Sequence, residues 1–392
     1  MSSFLKAPLA ALLTVSLAAC GTLTTPGANY AGHLFAMTNA AGANAIVHYG
    51  RSEDGRLTRL GETPTGGQGV GGRLVVDPGK EGVDPLFSSD SVVLSTDHTR
   101  LFAVNAGSGT VSSFRVGADG NLTLVGTSPT GGTVPTSLAL HGDVLYVGHA
   151  RAGDGGVQLT GFRVGANGSL GPIAGARYAT SGTTLVSQIL FSPDGALLEV
   201  SELNTGKVSV YPVNADGTLG TPNVNASAGQ APFGAAFVNG RVLLVSEAGS
   251  GAVSSYNVAS SGALTPIQAT VVNGQKATCW LTLTPDGRFL YASNTSSGNV
   301  SVYTVTPAGG LNLVSAAEAY RAPGGFADVG GNPSSGPVDA VVSADGKYFY
   351  QQYSGLGVVG AYRVGSDGRL SAVEGGDGTG LPALGTEGLA GY

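Results

Sequence analysis

The segment Thr284–Leu311, TPDGRFLYASNTSSGNVSVYTVTPAGGL, contains the unit from which the rest of the chain is built. Three turns rich in Pro, Asp, Gly, Asn and Ser enclose two short segments of β-branched and aromatic residues, 288–293 and 300–305. The turn residues tolerate the backbone angles of tight reversals, and β-branched and aromatic residues favour strands. The segment therefore predicts a pair of β-hairpins.

This unit recurs along the chain with a fixed internal spacing. In each copy an aromatic residue is followed eight residues later by Leu, and Gly lies two residues before the Leu. The seven pairs are Tyr49 and Leu57, Phe114 and Leu122, Phe162 and Leu170, Tyr211 and Leu219, Tyr256 and Leu264, Tyr303 and Leu311, and Tyr362 and Leu370. Each interval has room for about four short strands, and no 3.6-residue period points to helices. The sequence predicts an all-β, seven-bladed β-propeller with four-stranded antiparallel blades.

The two ends of the chain complement each other. Residues His33–Thr38 resemble the second strand of a blade that lacks a first strand, and Thr386–Tyr392 resembles a first strand with nothing after it. Pairing them would complete one blade and remove two exposed sheet edges. We therefore predict that the C-terminal strand closes the N-terminal blade and that the propeller spans residues 31–392.

The first 21 residues resemble the signal peptide of bacterial lipoproteins. Lys6 precedes an apolar run, Ala7–Leu17, that is too short to span a bilayer, and residues 17–20, Leu-Ala-Ala-Cys, fit the lipobox. The resemblance implies export, removal of residues 1–19 and lipidation of Cys20, with residues 20–30 as a tether. We expect a lipid-anchored protein of the bacterial cell envelope; a plain secretory leader is the alternative.

Composition and motifs argue against several classes of function. The net charge of −6 argues against nucleic-acid binding, which needs a basic face. The sequence has no Gly-Lys-Ser/Thr phosphate loop, no serine nucleophile elbow and no Cys/His zinc spacing, so we predict no resident cofactor and no structural metal. The expected partner of this monomer is a small-molecule ligand or an envelope component.

Two long connections, Gly61–Ser88 and Ser315–Gly336, join a fourth strand to the next first strand. Such joins lie on the same face of a propeller as the turns between second and third strands. Both loops should therefore overhang one mouth of the central channel. Loops of this length are often functional, and tolerated insertions are the alternative.

Seven residues end the predicted second strands and should ring this mouth: Asn39, Asn105, His149, Glu202, Glu247, Asn294 and Tyr353. Glu202, Glu247 and His149 fall in adjacent blades, and a His with two carboxylates could activate water against an ester carbonyl. The same three side chains are compatible with a divalent cation in the channel or with solvated charges. The Asn and Tyr residues are candidate ligand contacts, with turn capping as the alternative for Asn.

Three further candidates lie on predicted inner strands. Trp280 is the only tryptophan, and it either stacks on a ligand ring or packs between blades. Asp339 and Glu387 occupy related positions and are expected to face the channel. With the strand-end residues, they predict a site for a small polar or sugar-like ligand.

Several turn units and the strands after them are similar to those of the lactonase family of seven-bladed propellers, which includes 6-phosphogluconolactonases and carboxymuconate-cyclising enzymes. The units are Ser192-Pro193-Asp194-Gly195, Thr284-Pro285-Asp286-Gly287 and Ser343-Ala344-Asp345-Gly346, together with Asn/Glu-x-x-(Ser/Thr)-Gly-x-Val turns. The resemblance covers residues 32–392 and implies the propeller fold and lactone chemistry. It also implies His, Arg and Glu where inner strands open into the channel, whereas segments 185–188, 279–282 and 337–339 contain neither His nor Arg. Two functions stay open: a ligand-binding propeller that hydrolyses a lactone, and a non-catalytic scaffold for protein or envelope polysaccharide.

Overall fold

Seven four-stranded antiparallel sheets contain all 28 strands of the structure, a computed structural model that describes residues 30–182 and 184–392. This confirms the predicted seven-bladed β-propeller. The predicted signal peptide and Cys20 lie outside the described residues. Within the described part of the chain, no helix has the length and apolar character that a membrane crossing needs.

The strands follow one another from the inside of each blade to the outside. In the first three blades they are β1 (Gly32–Met37), β2 (Ala45–Arg51) and β3 (Leu57–Pro64); β4 (Val92–Leu94), β5 (Arg100–Asn105), β6 (Thr110–Val116) and β7 (Leu122–Pro129); and β8 (Thr133–His141), β9 (Val144–Arg151), β10 (Leu159–Val164) and β11 (Leu170–Tyr178). The fourth and fifth blades contain β12 (Val186–Phe191), β13 (Leu197–Glu202), β14 (Lys207–Pro212) and β15 (Asn223–Ala226); and β16 (Pro232–Phe237), β17 (Val242–Glu247), β18 (Ala252–Val258) and β19 (Leu264–Val272). The last two contain β20 (Thr278–Leu283), β21 (Phe289–Asn294), β22 (Asn299–Val305) and β23 (Leu311–Glu318); and β24 (Pro337–Val342), β25 (Tyr348–Tyr353), β26 (Val358–Val364) and β27 (Leu370–Ala372), before β28 (Leu389–Gly391). A short 3₁₀ turn, Asp154–Gly156, lies between β9 and β10.

The repeated aromatic–Gly–Leu spacing marks the turn from third to fourth strand. Every aromatic of the repeat is buried in a third strand, and the Gly has a positive φ in all seven blades, from 74° at Gly120 to 89° at Gly55. Only Gly adopts this conformation at low cost, so the turn depends on it. The Leu begins the fourth strand except in the fourth blade, where Leu219 forms an isolated bridge with Val213.

The chain ends close the propeller as predicted. Strand β28 pairs antiparallel with β1, with Ala36 opposite Leu389 and Leu34 opposite Gly391. Strand β28 itself is shorter than Thr386–Tyr392, but the residue before it still bonds to β1, since the Met37 amide donates to the Gly388 carbonyl at 2.8 Å. Thr386 Oγ1 donates to the Met37 carbonyl at 2.7 Å, and Glu387 turns toward the channel.

The two long loops meet over one end of the channel, where the Val83 amide donates to the Ala327 carbonyl at 3.0 Å. We call this the loop face. The end of the first loop, Asp84–Ser91, then enters the channel between the inner strands, and we call it the channel plug. Leu86, Ser88 and Ser91 of the plug are completely buried. The plug therefore fills the part of the channel next to the loop face.

Candidate functional site

All seven residues predicted to end the second strands are completely buried. Five of them bond to the end of the fourth strand in the preceding blade, as when Thr65 Oγ1 donates to Asn105 Oδ1 at 2.7 Å and Ser227 Oγ donates to Glu247 Oε1 at 2.7 Å. Corresponding bonds join Ser181 to Glu202, Asn273 to Asn294 at 3.2 Å, and Tyr353 to the Ala319 carbonyl, while Asn39 Nδ2 donates to the Gly385 carbonyl at 3.0 Å. All of these side chains except His149, whose ring bonds to the Gln158 carbonyl of its own blade, therefore link successive blades.

The three predicted catalytic side chains are not brought together. Glu202 accepts hydrogen bonds within its own sheet, including one from Ser209 Oγ at 2.7 Å. His149 Nδ1 lies 3.0 Å from the Gln158 carbonyl, to which it donates, and its Nε2 has no partner. Glu247 Oε2 also has none. No hydrogen bond joins any two of the three within the described chain.

Burial changes the protonation of two of these groups. It lowers the pKa of His149 to about 4, so the imidazole is neutral at pH 7, and it raises the pKa of Glu247. The backbone of the interblade connections passes directly over both side chains. A Cβ added to Gly132 would lie 2.5 Å from His149 Nε2, and one added to Gly229 would lie 2.6 Å from Glu247 Cγ. Solvent therefore does not reach either group.

A signal for this arrangement is present in the sequence. A small polar residue or Ala followed by Gly ends the fourth strand of five blades: Thr65-Gly66, Thr130-Gly131, Ser181-Gly182, Ala228-Gly229 and Asn273-Gly274. At Gly229 the missing side chain lets the chain pass directly over Glu247, and Gly67 and Gly132, which follow two of the other pairs, lie as close to Asn105 and His149. The pattern therefore predicts a close interblade contact at these three residues.

Glu387 and Trp280 hold the channel plug. The Leu86 and Ser88 amides donate to the Glu387 carboxylate at 2.9 and 3.4 Å. Trp280 Nε1 donates to the Ser88 carbonyl at 3.1 Å, and its ring lies 4.8 Å from that of Phe233. Trp280 is therefore packed inside the channel against protein.

Asp339 faces the other end of the plug. Its Oδ1 accepts from the Asp90 amide at 3.4 Å, and its Oδ2 is buried without a partner. Asp90 Oδ2 in turn accepts from Gln188 Nε2 at 2.6 Å. Asp339 and Glu387 thus both face the channel, where they bind plug backbone.

Four carboxyl groups of the plug region, Asp84, Asp90, Asp339 and Glu387, form no ion pair in the described structure. Burial is the main cause that raises their pKa values, to about 7 for Asp84, to about 6 for Asp90, and well above the usual range for Asp339 and Glu387. Repulsion between neighbouring carboxylates adds to the effect at Asp339 and Glu387. Within residues 30–182 and 184–392, no group of three or more His, Cys, Asp or Glu side chains is arranged to hold a metal ion.

The plug leaves a pocket of about 160 Å³ at the loop face, which we call the mouth pocket. Asp84 and Phe87 of the plug line it, together with Leu203, Phe233, Ala248, Cys279, Thr295, Ser296, Asp328 and Val329. Its walls are mostly apolar, and it contains two carboxyl groups but no Lys, Arg or His. The Cys279 thiol keeps its proton because burial raises its pKa. No residue predicted as a site from the sequence lines this pocket.

Comparison with known proteins places the fold. The family described as Lactonase, 7-bladed beta-propeller matches residues 80–328, more than half of the chain. The periplasmic gluconolactonase of Pseudomonas aeruginosa is 20% identical, with a TM-score of 0.69 over 92% of this chain and 98% of that one. A proposed 6-phosphogluconolactonase from Bacteroides uniformis is also 20% identical, with a TM-score of 0.69 over 92% and 99%. At this identity the two structures show the fold alone. A search of curated proteins gave no match.

Proposed function

Because this chain belongs to the lactonase family of seven-bladed β-propellers, we propose that it hydrolyses an uncharged lactone in the mouth pocket, with Asp84 as general base. One observation carries the proposal. Asp84 is a buried carboxyl group in an apolar pocket, and its pKa of about 7 suits proton transfer at neutral pH. The match to the lactonase family supports lactone hydrolysis as the class of reaction.

The chemistry needs one water molecule between Asp84 and the lactone. Asp84 takes a proton from this water as its oxygen attacks the carbonyl carbon. The ester C–O bond of the ring then breaks, and the protonated Asp84 gives its proton to the leaving alkoxide, which yields a hydroxy acid and restores the Asp84 carboxylate. The Phe87 amide donates to Asp84 Oδ1 at 3.0 Å, which fixes one oxygen and leaves the other for the water.

The lining of the pocket argues for an uncharged substrate. A phosphorylated lactone would bring its negative charge toward Asp84 and Asp328 with no cationic side chain in the lining to receive it. The volume of 160 Å³ is also below the about 300–1,000 Å³ of most small-molecule sites. The pocket therefore suits one ring, with any substituents pointing toward solvent.

The test is a panel of uncharged γ- and δ-lactones and phosphorylated gluconolactone, assayed by acid release with purified protein. We expect hydrolysis of an uncharged lactone, and a fall of kcat/KM by about 10²–10⁴ in Asp84→Asn. Asp367→Asn, which removes a carboxylate from an exposed turn, is the matched control. Full activity in Asp84→Asn, or a preference for the phosphorylated lactone, would contradict the proposal.

A non-catalytic scaffold is the second candidate. Exposed apolar side chains on the loop face favour it, with Val272 and Tyr320 each more than 60% exposed and Val329 49% exposed at the mouth pocket. Absence of turnover across the panel, with protein or polysaccharide binding lost on Tyr320→Ser, would support this function. For either function we propose export and anchoring through lipid on Cys20, on the strength of the lipobox.

A further inference from the structure

The channel has a second cavity, on the face opposite the loops. It has a volume of about 600 Å³, within the usual range of small-molecule sites. The inner strands β4, β8 and β12 form its walls, where Val93, Leu138, Leu190 and Phe191 supply apolar surface. We call it the lower well. Because the plug fills the channel above it, the lower well is separate from the mouth pocket.

Asp90 lies at the inner end of the lower well. Its carboxylate accepts one hydrogen bond from a neighbouring side chain, from Gln188, and no Lys, Arg or His of the described chain lies within salt-bridge distance. Its backbone has a φ of +62°, in the left-handed region that Asp adopts more readily than most residues other than Gly. The Leu138 amide donates to the Asp90 carbonyl at 2.9 Å, which holds the residue in place.

A second polar atom beside Asp90 lacks a partner. Asp339, whose Oδ1 accepts from the Asp90 amide, is 5% exposed, and its Oδ2 forms no hydrogen bond. Asp339 lies behind Asp90 and is not among the residues that line the lower well. The acidic group that a ligand meets at the inner end of the well is therefore Asp90.

The rim of the lower well contains one positive and one negative side chain, Arg100 and Asp97, whose charges offset each other. Arg100 donates to the Ala166 carbonyl at 3.1 Å, so its guanidinium is bound to the surface turn of the next blade. Asp97 adds a second carboxylate, held ionised by hydrogen bonds from Ser95 and Thr99 that lower its pKa to about 2. The His141 ring packs 5.9 Å from Phe191. The rim therefore leaves Asp90 available to a ligand.

We propose that the lower well binds a small organic cation. Its ammonium group pairs with Asp90, and its apolar body packs against Leu138, Leu190 and Phe191. The site stands independently of lactone hydrolysis, since the plug divides it from the mouth pocket.

The experiment uses three ligands of similar size: 2-phenylethylammonium, 2-phenylethanol and 3-phenylpropionate. Binding to protein with labelled Leu and Val methyl groups is followed by NMR. The cation should bind at least tenfold more tightly than the alcohol, and the anion most weakly. The largest shifts should fall on Val93, Leu138 and Leu190, with little change at Leu203 and Val329 of the mouth pocket.

Asp90→Asn should abolish the preference for the cation, whereas Asp286→Asn, in an exposed turn of the sixth blade, should leave it intact. If Asp90→Asn does not fold, the relative affinities of the three ligands for the unmodified protein test the proposal. Equal affinity for cation and alcohol, shifts confined to the mouth pocket, or no shift with any ligand would overturn the proposal.

Discussion

Replacing Glu387 by Gln should change how stability depends on pH. The Glu387 carboxyl is completely buried and has no cationic partner in the described chain. Burial, followed by repulsion from Asp84 and Asp339, raises its pKa well above the ordinary 4.5. The folded protein therefore keeps this proton at pH values where the unfolded chain has lost it.

The sign follows from this difference in bound protons. The stabilisation is fully present below about pH 4.5 and is lost as pH rises toward the folded pKa. The loss is about 1.4 kcal/mol per pH unit for one proton, because one pKa unit corresponds to that free energy. Gln does not ionise, so the Glu387→Gln variant does not undergo this loss. Its free energy of unfolding should therefore rise relative to that of the wild type by up to about 1.4 kcal/mol per pH unit. With an unfolding entropy of about 2.1 cal/mol/K per residue, a propeller of about 360 residues shifts by about 1.3 °C per kcal/mol, so the Tm difference should widen by about 2 °C per pH unit.

Thermal unfolding between pH 5 and 9 measures the effect, because the difference begins just above the ordinary pKa of 4.5. His48 and His149, whose pKa values burial lowers to about 4, carry no proton in the folded state over this window. Glu374→Gln, at an exposed carboxylate, should give a curve parallel to that of the wild type. Parallel curves for Glu387→Gln and wild type would refute the reasoning. Asp339→Asn tests the same point if Glu387→Gln does not fold, because burial also raises the pKa of Asp339 well above its usual range.

Three further outcomes are expected. Leu389→Ala, in the closing strand, should lower the free energy of unfolding by about 2–5 kcal/mol, whereas Leu313→Ala, 38% exposed, should change it little; equal Tm values would argue against closure by β28. Cys20→Ser should release the protein from the membrane fraction, and a variant that still sediments in high salt is not anchored by Cys20. The double variant Glu202→Gln and Glu247→Gln should have a lower Tm, because both groups link blades, and an unchanged kcat/KM in its folded state. A loss of kcat/KM at unchanged Tm would instead favour the catalytic role that the sequence predicts for these two residues.

The fold could be predicted from the sequence because each repeat contains its own turn and strand signals. The Gly before each Leu has the positive φ that its turn requires, and the aromatic eight residues before the Leu is buried in the third strand. The missing first strand at one end and the extra strand at the other also predicted the pairing of β28 with β1. These signals act over a few residues or through strand order.

The site depends on contacts that no local pattern encodes. Leu86 bonds to Glu387, 301 residues away, and Ser88 to Trp280, 192 residues away. The sequence predicted that the first long loop would overhang the channel but not that it would enter it. Five of the seven predicted residues end their strands, whereas Asn39 lies two residues after β1 and His149 two residues before the end of β9. Interblade connections pass over His149 and Glu247, and Asp84 of the loop lines the pocket instead.

The dependence of kcat/KM on pH for the best uncharged lactone tests the central claim most directly. Asp84 acts as a base only when ionised, so kcat/KM should rise with pH along a limb whose midpoint is near 7. Asp84→Asn should lose this limb. A midpoint near 4, as for an exposed Asp, or the same limb in Asp84→Asn, would contradict the assignment of Asp84 as the base.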